Sequence, residues 1–142
     1  MTIRYLAYNE VLDIYREQIS KHGGFCAIRD NNALLSVIVN PQREFGGAEL
    51  YPTIASKAAI LVYSMNKNHP FVEGNKRTAF VCGRLFLRLN GYDVPDLEDY
   101  YKIVRKIARN EISQEDVFDW FELSVKPLSD IKPDKEKKES EK

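Results

Sequence analysis

The sequence predicts an all-α protein, a compact six-helix bundle with an exposed flap loop near the active site. Two observations support this prediction. Apolar residues recur at helical spacing in six separate stretches. Cap-forming residues and helix stops mark the boundaries, as with Asp30 before the second stretch and Pro41 after it. A length of 142 residues, of which 44% are hydrophobic, suits one domain with an ordinary core.

The first half of the chain contains two predicted helices and the flap. Residues 2–6 are expected to be extended, and the first helix covers residues 8–21 and ends at a pair of glycines. The second helix covers residues 31–39, between the cap and the stop named above. Residues 41–52 have no periodicity and contain two adjacent glycines, so we expect them to form a surface loop or flap.

The second half of the chain contains the remaining four helices. A third helix over residues 53–67 is apolar nearly all round, which predicts burial on several sides. The fourth covers residues 75–90 and ends at an Asn-Gly pair. The fifth begins at Asp96, and the sixth begins at Ser113 and ends at a Lys-Pro pair.

Composition limits the function classes. We predict one domain over residues 1–126 and a disordered charged tail over residues 127–142, which has almost no apolar residues. A net charge of zero predicts no broad attraction to nucleic acid or to a membrane surface. Cys26 and Cys82 match no metal-site spacing and suggest no disulfide framework. Without a recognisable signal peptide or membrane span, a cytoplasmic location is expected.

Residues 69–79 (HPFVEGNKRTA) are the stretch most suggestive of chemistry. They lead from a loop into the fourth helix, whose first amides are unpaired and carry partial positive charge. Gly74 lets the backbone approach a ligand closely. Lys76 and Arg77 add two positive charges, and arginine is the better fork for phosphate. The pattern predicts a phosphate-binding turn.

Two further polar side chains in this stretch fit group-transfer chemistry. Glu73 would repel phosphates unless a cation lies between them, and Mg²⁺ binds through one or two carboxylates together with phosphate oxygens. His69 belongs to the residue type that most often moves protons near neutral pH. A positioned general base typically contributes roughly 10²–10⁴-fold in rate. We therefore interpret the stretch as a site for phosphoryl or nucleotidyl transfer to a hydroxyl.

The same stretch resembles the active-site motif of the Fic/Doc superfamily, in its death-on-curing (Doc) branch. The larger Fic branch carries Gly at the position of Lys76 and Arg at the position of Phe80, and both departures match the Doc branch. Other landmarks follow in order, with HGG at residues 22–24, RD at 29–30, PQ at 41–42 and FLRLNGY at 86–92. The resemblance spans about residues 2–125.

This resemblance implies ATP and Mg²⁺ as cofactors and a role for each motif residue. The catalytic group would be His69 as the base, Glu73 as the Mg²⁺ ligand, and Lys76 and Arg77. The phosphates would bind Gly74, Asn75, Lys76 and Arg77. Phe71 would bury its ring and pin the loop. Lys67 lies where some Doc members carry another phosphate-binding arginine.

The Doc branch also implies an activity and partners. Its members are kinase toxins that transfer the γ-phosphate of ATP to a threonine of elongation factor Tu and thereby arrest translation. The flap would dock the target segment, by backbone pairing. The sequence lacks the inhibitory Ser/Thr-x-x-x-Glu-Gly/Asn pattern of many Fic enzymes. Control is therefore expected from a Phd-like antitoxin, with Tyr100, Tyr101 or Trp120 as candidates for its docking surface.

Alternatives stay open for the function and for single residues. The same residues would also suit an adenylyltransferase that transfers AMP, or an inactive helical module that only binds a nucleotide or a partner. Glu73 would also suit the positive helix N-terminus, and Asn75 would also suit a cap. Arg84 and Arg88, on the fourth helix, are expected to lie in solvent.

Overall fold

The computed structural model describes residues 2–131 and contains six α-helices in that range. They are α1 (Tyr8–His22), α2 (Asn31–Val39), α3 (Ile54–Asn68), α4 (Asn75–Leu89), α5 (Leu97–Ala108) and α6 (Gln114–Ser124). The strands are β1 (Glu44–Phe45), β2 (Ala48–Glu49), β3 (Tyr92–Asp93) and β4 (Lys126–Pro127). The strands form two small antiparallel pairs, β1–β2 and β3–β4. The predicted all-α class with six helices is confirmed.

Helix α3 lies at the centre of the bundle, where it packs against α2, α4, α5 and α6. Small side chains on more than one face let these neighbours approach: Ala55, Ala58 and Ala59 are at most 4% exposed. The predicted burial of this helix on several sides is confirmed. Its C-terminal end delivers His69. Among residues 2–131, neither α3 nor any other helix combines the length and apolar character that crossing a bilayer requires.

The ends of α1 and α2 show two ways of satisfying a helix N-terminus. The Asp30 carboxylate accepts a hydrogen bond from the Ala33 amide at 3.0 Å, so the predicted cap of α2 is confirmed. Ala7 offers α1 no side-chain acceptor. Glu10 reaches back instead and accepts from the Ala7 amide at 2.8 Å, while also pairing with Arg4 at 2.7 Å.

The flap predicted over residues 41–52 forms a short exposed hairpin, preceded by a 3₁₀ turn at Asn40–Gln42. Lys57 on α3, which is 1% exposed, holds the base of this hairpin. Its ammonium donates to Glu49 Oε1 at 2.9 Å and to the Tyr51 carbonyl at 2.5 Å. The hairpin is therefore anchored near the N-terminal end of α3, whereas the predicted catalytic histidine follows the C-terminal end.

The expectation that Arg84 and Arg88 lie in solvent holds for Arg88, whose side chain is 49% exposed, and is wrong for Arg84, which is 27% exposed. Both guanidinium groups pair with Asp93 on β3, at 3.1 Å and 2.6 Å. The Asp93 side chain is only 4% exposed, and a buried carboxylate requires such partners. The spacing of the two arginines along the helix could not predict these ion pairs, because their partner, Asp93, lies outside the helix, on β3.

The two ends of the described chain attach to the turn after α4. The Asn90 amide accepts from the Arg4 N–H at 2.8 Å and donates to the Arg4 carbonyl at 2.9 Å. Strand β4 pairs with β3, and the Leu128 amide donates to the Gly91 carbonyl at 2.9 Å. The predicted domain boundary between residues 126 and 127 falls within β4. The chain continues beyond it into a 3₁₀ turn at Leu128–Asp130, so the folded part extends further than predicted. The rest of the predicted tail, 132–142, lies outside the described residues.

Candidate active site

His69 follows the last residue of α3 and has a left-handed backbone, with φ of 46°. Arg29 supports this conformation by donating to the His69 carbonyl at 2.5 Å and to the Asn68 carbonyl at 2.7 Å. These bonds satisfy acceptors that a helix end otherwise leaves unpaired. The His69 side chain is exposed and makes no hydrogen bond to another described residue. Its backbone is thus held in place while its imidazole is available to a substrate.

The loop after His69 is pinned by Phe71 and Asn75. Phe71 is fully buried, and its ring stacks on Tyr15 with centroids 3.8 Å apart, so the predicted pinning role is confirmed. The Asn75 amide accepts from the Phe71 N–H at 3.0 Å and donates to the Phe71 carbonyl at 2.9 Å. These two bonds fix the orientation of the Asn75 amide, which keeps one side-chain N–H in addition to its backbone N–H for a phosphate.

The N-terminus of α4 has no side-chain cap. Gly74 occupies the cap position with φ of 85°, in the left-handed region that favours glycine. A Cβ on this residue would lie 3.0 Å from Ile19 Cδ1, a tight contact that requires the Ile19 side chain to shift by a few tenths of an ångström. The first amides of α4 therefore stay unpaired within the described chain, which is the arrangement that binds anions.

Glu73 lies beside the segment that follows α1. Its Oε2 accepts a hydrogen bond from the Phe25 amide at 3.0 Å. Within residues 2–131, no group of three or more His, Cys, Asp or Glu side chains is arranged to hold a metal. A metal at this site would have one carboxylate and would need phosphate oxygens and water as its other ligands, which is common for Mg²⁺.

Tyr15 stabilises the segment against which Glu73 rests. Its hydroxyl accepts from the Ala27 amide at 2.8 Å and lies 3.2 Å from the Phe25 carbonyl. Burial raises the pKa of the Tyr15 phenol above its ordinary value. The hydroxyl therefore keeps its proton at physiological pH and acts as a neutral support.

Lys76 and Arg77 lie at the edge of a cavity between α1, α4 and α5. The Lys76 ammonium is 5.5 Å from the centre of the Tyr101 ring, a favourable cation–π arrangement. Arg77 Nη2 donates to the Gly23 carbonyl at 3.1 Å, whereas its Nε is buried without a partner among the described residues. Both cations are thus held beside the N-terminus of α4, and Arg77 retains an unused donor.

Lys67 has partners of its own. Its ammonium donates to the Asn110 side-chain oxygen and lies 5.5 Å from the centre of the Tyr63 ring. A phosphate would have to compete with Asn110 for this cation. The role of Lys67 as a further phosphate binder stays a prediction.

Comparison with protein families identifies the group to which this arrangement belongs. The model of the Fic/DOC family matches residues 5–87, more than half of the chain, and this range includes the whole motif. This chain belongs to the Fic/DOC family. The resemblance to the death-on-curing branch is confirmed, since two curated relatives carry the name Doc.

These relatives differ in how much of each protein is matched. The chain is 39% identical over 83 residues to "Toxin Doc" of Mycolicibacterium smegmatis, a match covering 54% of this chain and 64% of that protein, less than two thirds of its length. It is 29% identical over 117 residues to "Protein kinase doc" of Escherichia phage P1, a match covering 82% of this chain and 92% of the phage protein.

Sequence reasoning did not identify the residues that hold the motif in position. Arg29 fixes the backbone of His69, Tyr15 supports Phe71, and the segment after α1 contacts both Glu73 and Arg77. A signal was present, because two of the family landmarks noted above contain Arg29 and the glycines of that segment. Their function could not be derived from spacing, since the contacts join parts of the chain about 40–54 residues apart.

Proposed function

We propose that this protein is a Doc-type toxin and a protein kinase that transfers the γ-phosphate of ATP to a Ser or Thr hydroxyl. The single observation that carries the proposal is the juxtaposition of an exposed His69 with the uncapped N-terminus of α4 and its two cations. The name of the phage relative, "Protein kinase doc", supports the same reaction, and that match covers most of both chains.

In the proposed reaction the phosphates bind the backbone amides from Gly74 to Arg77 and the side chains of Lys76 and Arg77. His69 accepts the proton of the target hydroxyl while the hydroxyl oxygen forms a bond to the γ-phosphorus. The bond from that phosphorus to the β–γ bridging oxygen breaks, and ADP leaves with the electron pair. Mg²⁺, held by Glu73, would neutralise charge on the phosphates.

The position of Phe80 favours phosphate transfer over AMP transfer. The AMP-transferring Fic pattern places a second arginine here, whereas in this chain the Phe80 ring stacks on Tyr100 at 4.4 Å. The Tyr100 hydroxyl also donates to the Phe80 carbonyl at 2.7 Å, which fixes this part of α4. An apolar ring at this position cannot hold phosphate groups, so we favour an orientation with the terminal phosphate at the helix N-terminus.

The proposed partners are a translation factor and an antitoxin. We propose elongation factor Tu as the target and backbone pairing with the exposed β1–β2 hairpin as its docking mode. We also propose neutralisation by a Phd-like antitoxin. Of the three aromatic residues considered for its docking surface, Tyr100 is excluded because it is fully buried, whereas Tyr101 is 43% exposed.

Position-specific labelling of ATP tests the reaction. The protein is incubated with a bacterial lysate and ATP labelled at either the α- or the γ-phosphate, and labelled proteins are identified by mass spectrometry. Label from the γ position alone, on a translation factor, is the expected result. Label from the α position would indicate adenylyl transfer instead. Binding of ATP without either label would indicate a binding module.

His69→Ala is expected to reduce transfer by at least roughly 10²-fold, because the general base is removed. The melting temperature should change little, since the side chain is exposed and makes no hydrogen bond within the described chain. Asn68→Ala, at the preceding exposed position, serves as the matched control and should retain transfer. A His69→Ala protein with undiminished transfer would contradict the assigned role.

A further inference from the structure

We propose that Lys57 is a positioning residue for the target protein, because its buried ammonium holds the β1–β2 hairpin in the conformation that docks a segment of the target. The inference rests on the proposed function, which assigns target docking to this hairpin. It adds a residue outside the family motif, in the first turn of the helix whose other end leads to His69.

The hydrogen bonds of the ammonium provide the first observation. A lysine ammonium has three N–H donors, and three acceptors converge on it here. They are the Pro41 carbonyl at 3.3 Å, Glu49 Oε1 at 2.9 Å and the Tyr51 carbonyl at 2.5 Å. Pro41 precedes β1, whereas Glu49 lies in β2 and Tyr51 follows it. A single side chain on α3 therefore joins both ends of the hairpin.

The weakness of the hairpin by itself provides the second observation. Each strand has two residues and all four are exposed, so the hairpin buries little apolar surface, and a two-stranded hairpin without such burial is marginally stable. Its register places Glu44 directly opposite Glu49, and like charges at opposed positions destabilise a strand pair. The order of the hairpin therefore depends on an external support, and Lys57 supplies one that also neutralises Glu49.

The burial of Lys57 indicates what this support contributes. The residue is 1% exposed, and its one carboxylate partner among residues 2–131, Glu49, has a side chain that is 48% exposed. Burying an ammonium carries a large desolvation penalty, and an apolar side chain of similar volume is often at least as stable in such a position. The contribution that an apolar side chain could not make is the fixed geometry of the hairpin.

A fixed hairpin favours docking by backbone pairing. A strand that is already ordered loses little conformational freedom when a second strand pairs with it. Without the ammonium, the target would have to order the hairpin as it binds, whereas the phosphate site at the N-terminus of α4 would be unaffected. Loss of Lys57 should therefore weaken the binding of the target and leave the transfer step and ATP binding unchanged.

Steady-state phosphorylation of elongation factor Tu at saturating ATP and Mg²⁺ tests this inference. Lys57→Met is expected to raise the KM for the target by about tenfold, with kcat and the Kd for ATP unchanged. Hydrogen exchange should show faster exchange of the Leu50 amide, which donates to the Arg43 carbonyl at 3.0 Å, and unchanged protection of α4. Lys102→Met, the same substitution at an exposed position on α5, serves as the matched control and should change neither measurement.

A second substitution tests whether Lys57 acts through the hairpin. Gly46 and Gly47 form its two-residue turn, with φ of 59° and 83°, and Asn-Gly is a preferred pair where both turn residues have positive φ. A Cβ on Gly46 would meet nothing within 4 Å. Gly46→Asn should therefore stabilise the hairpin from its other end and recover part of the lost KM when combined with Lys57→Met. A general defect in the helical bundle would not be repaired in this way.

An unchanged KM in Lys57→Met, or a loss confined to kcat or to ATP affinity, overturns the inference. If Lys57→Met fails to fold, Lys57→Gln, which keeps an N–H donor for the carbonyls, replaces it with the same expected results. Failure of the proposed function has a different result, since the unaltered protein would then transfer no γ-phosphate to any protein. Active transfer with a normal KM in the Lys57 variants contradicts this inference alone.

Discussion

Glu73 owes its position to the residues that follow α1. A Cβ placed on Gly24 would lie 2.5 Å from Glu73 Oε2, so this glycine permits the carboxylate to approach the Phe25 amide. The neighbouring Gly23 also has a positive φ, 81° against 118° for Gly24, but a Cβ there would meet nothing within 4 Å. Comparing an alanine substitution at each position therefore distinguishes the effect of backbone strain, which both share, from the effect of displacing Glu73, which only Gly24→Ala has.

Gly24→Ala is expected to raise the Mg²⁺ concentration needed for half-maximal transfer by roughly tenfold. The added methyl group would push Glu73, the proposed Mg²⁺ ligand, away from the Phe25 amide, and loss of such a supporting hydrogen bond typically weakens metal affinity by at least that factor. Gly23→Ala should cost about 1–3 kcal/mol of folding stability through backbone strain, because φ of 81° with ψ of 174° is a region essentially restricted to glycine, and should leave the Mg²⁺ requirement unchanged. Titration of the phosphorylation rate with Mg²⁺ measures the difference. Equal Mg²⁺ requirements in the two variants would rule out the positioning role of Gly24.

At this scale the sequence indicated candidate groups for chemistry but did not indicate the groups that support them. Residues 69–77 predicted a phosphate-binding site because a histidine, a carboxylate, a glycine and two cations occur together where a loop enters a helix. Gln18, which is only 7% exposed, drew none, because a polar residue on a predicted helix is ordinarily a surface residue. Its burial depends on α4 and α5 packing against α1, which no local pattern in α1 reveals.

Helix α1 begins without a conventional cap, and Glu10 takes over part of that role. The Arg4 guanidinium, and after it the Ala7 amide, lowers the pKa of Glu10 to about 2. A carboxylate whose pKa is lower in the folded state stabilises the fold above its unfolded pKa, about 4.5. This stabilisation is lost as the pH falls from that value through about 2.

Glu10→Gln is therefore expected to destabilise the protein by about 0.5 kcal/mol at pH 7, a small effect because the pair is largely exposed. The difference from the unaltered protein should shrink as the pH is lowered from 4.5 towards 2. Urea unfolding at a series of pH values measures it. Glu17→Gln on the same helix, which removes a pair with Lys21 in which both partners are more than 60% exposed, should change stability less. A Glu10→Gln effect that stays constant down to pH 3 would contradict the assignment.

The elements that the sequence predicted well are those with a period. All six helices were predicted, and the caps at Asp30 and Ser113 are present. The four strands were not predicted, because each contains only two residues and so cannot show an alternating pattern. Strand β4 depends entirely on a partner more than 30 residues earlier in the chain, which local composition does not indicate.

The molecule as a whole depends on β4 to hold its C-terminal segment. Removing residues 132–142, the part of the predicted tail beyond the described residues, is expected to leave the melting temperature unchanged. Removing residues 126–142 also deletes β4 and the bond from Leu128 to Gly91, at a cost of about 1 kcal/mol. For a domain of this size the melting temperature should fall by roughly 4 °C. Calorimetry of both truncated proteins measures this, and equal melting temperatures would show that β4 adds no stability.

The attachment of Arg4 and Leu128 to adjacent residues, Asn90 and Gly91, brings the start and the finish of the described fold to one corner. That corner follows the C-terminus of α4, whereas the proposed phosphate site lies at its N-terminus, about 22 Å away for a helix of 15 residues. A fluorescent label or an affinity tag attached at either end of the described fold should leave the proposed phosphate site accessible to substrate. The same proximity makes the fold a suitable candidate for circular permutation, with new ends opened at the exposed glycines of the β1–β2 hairpin.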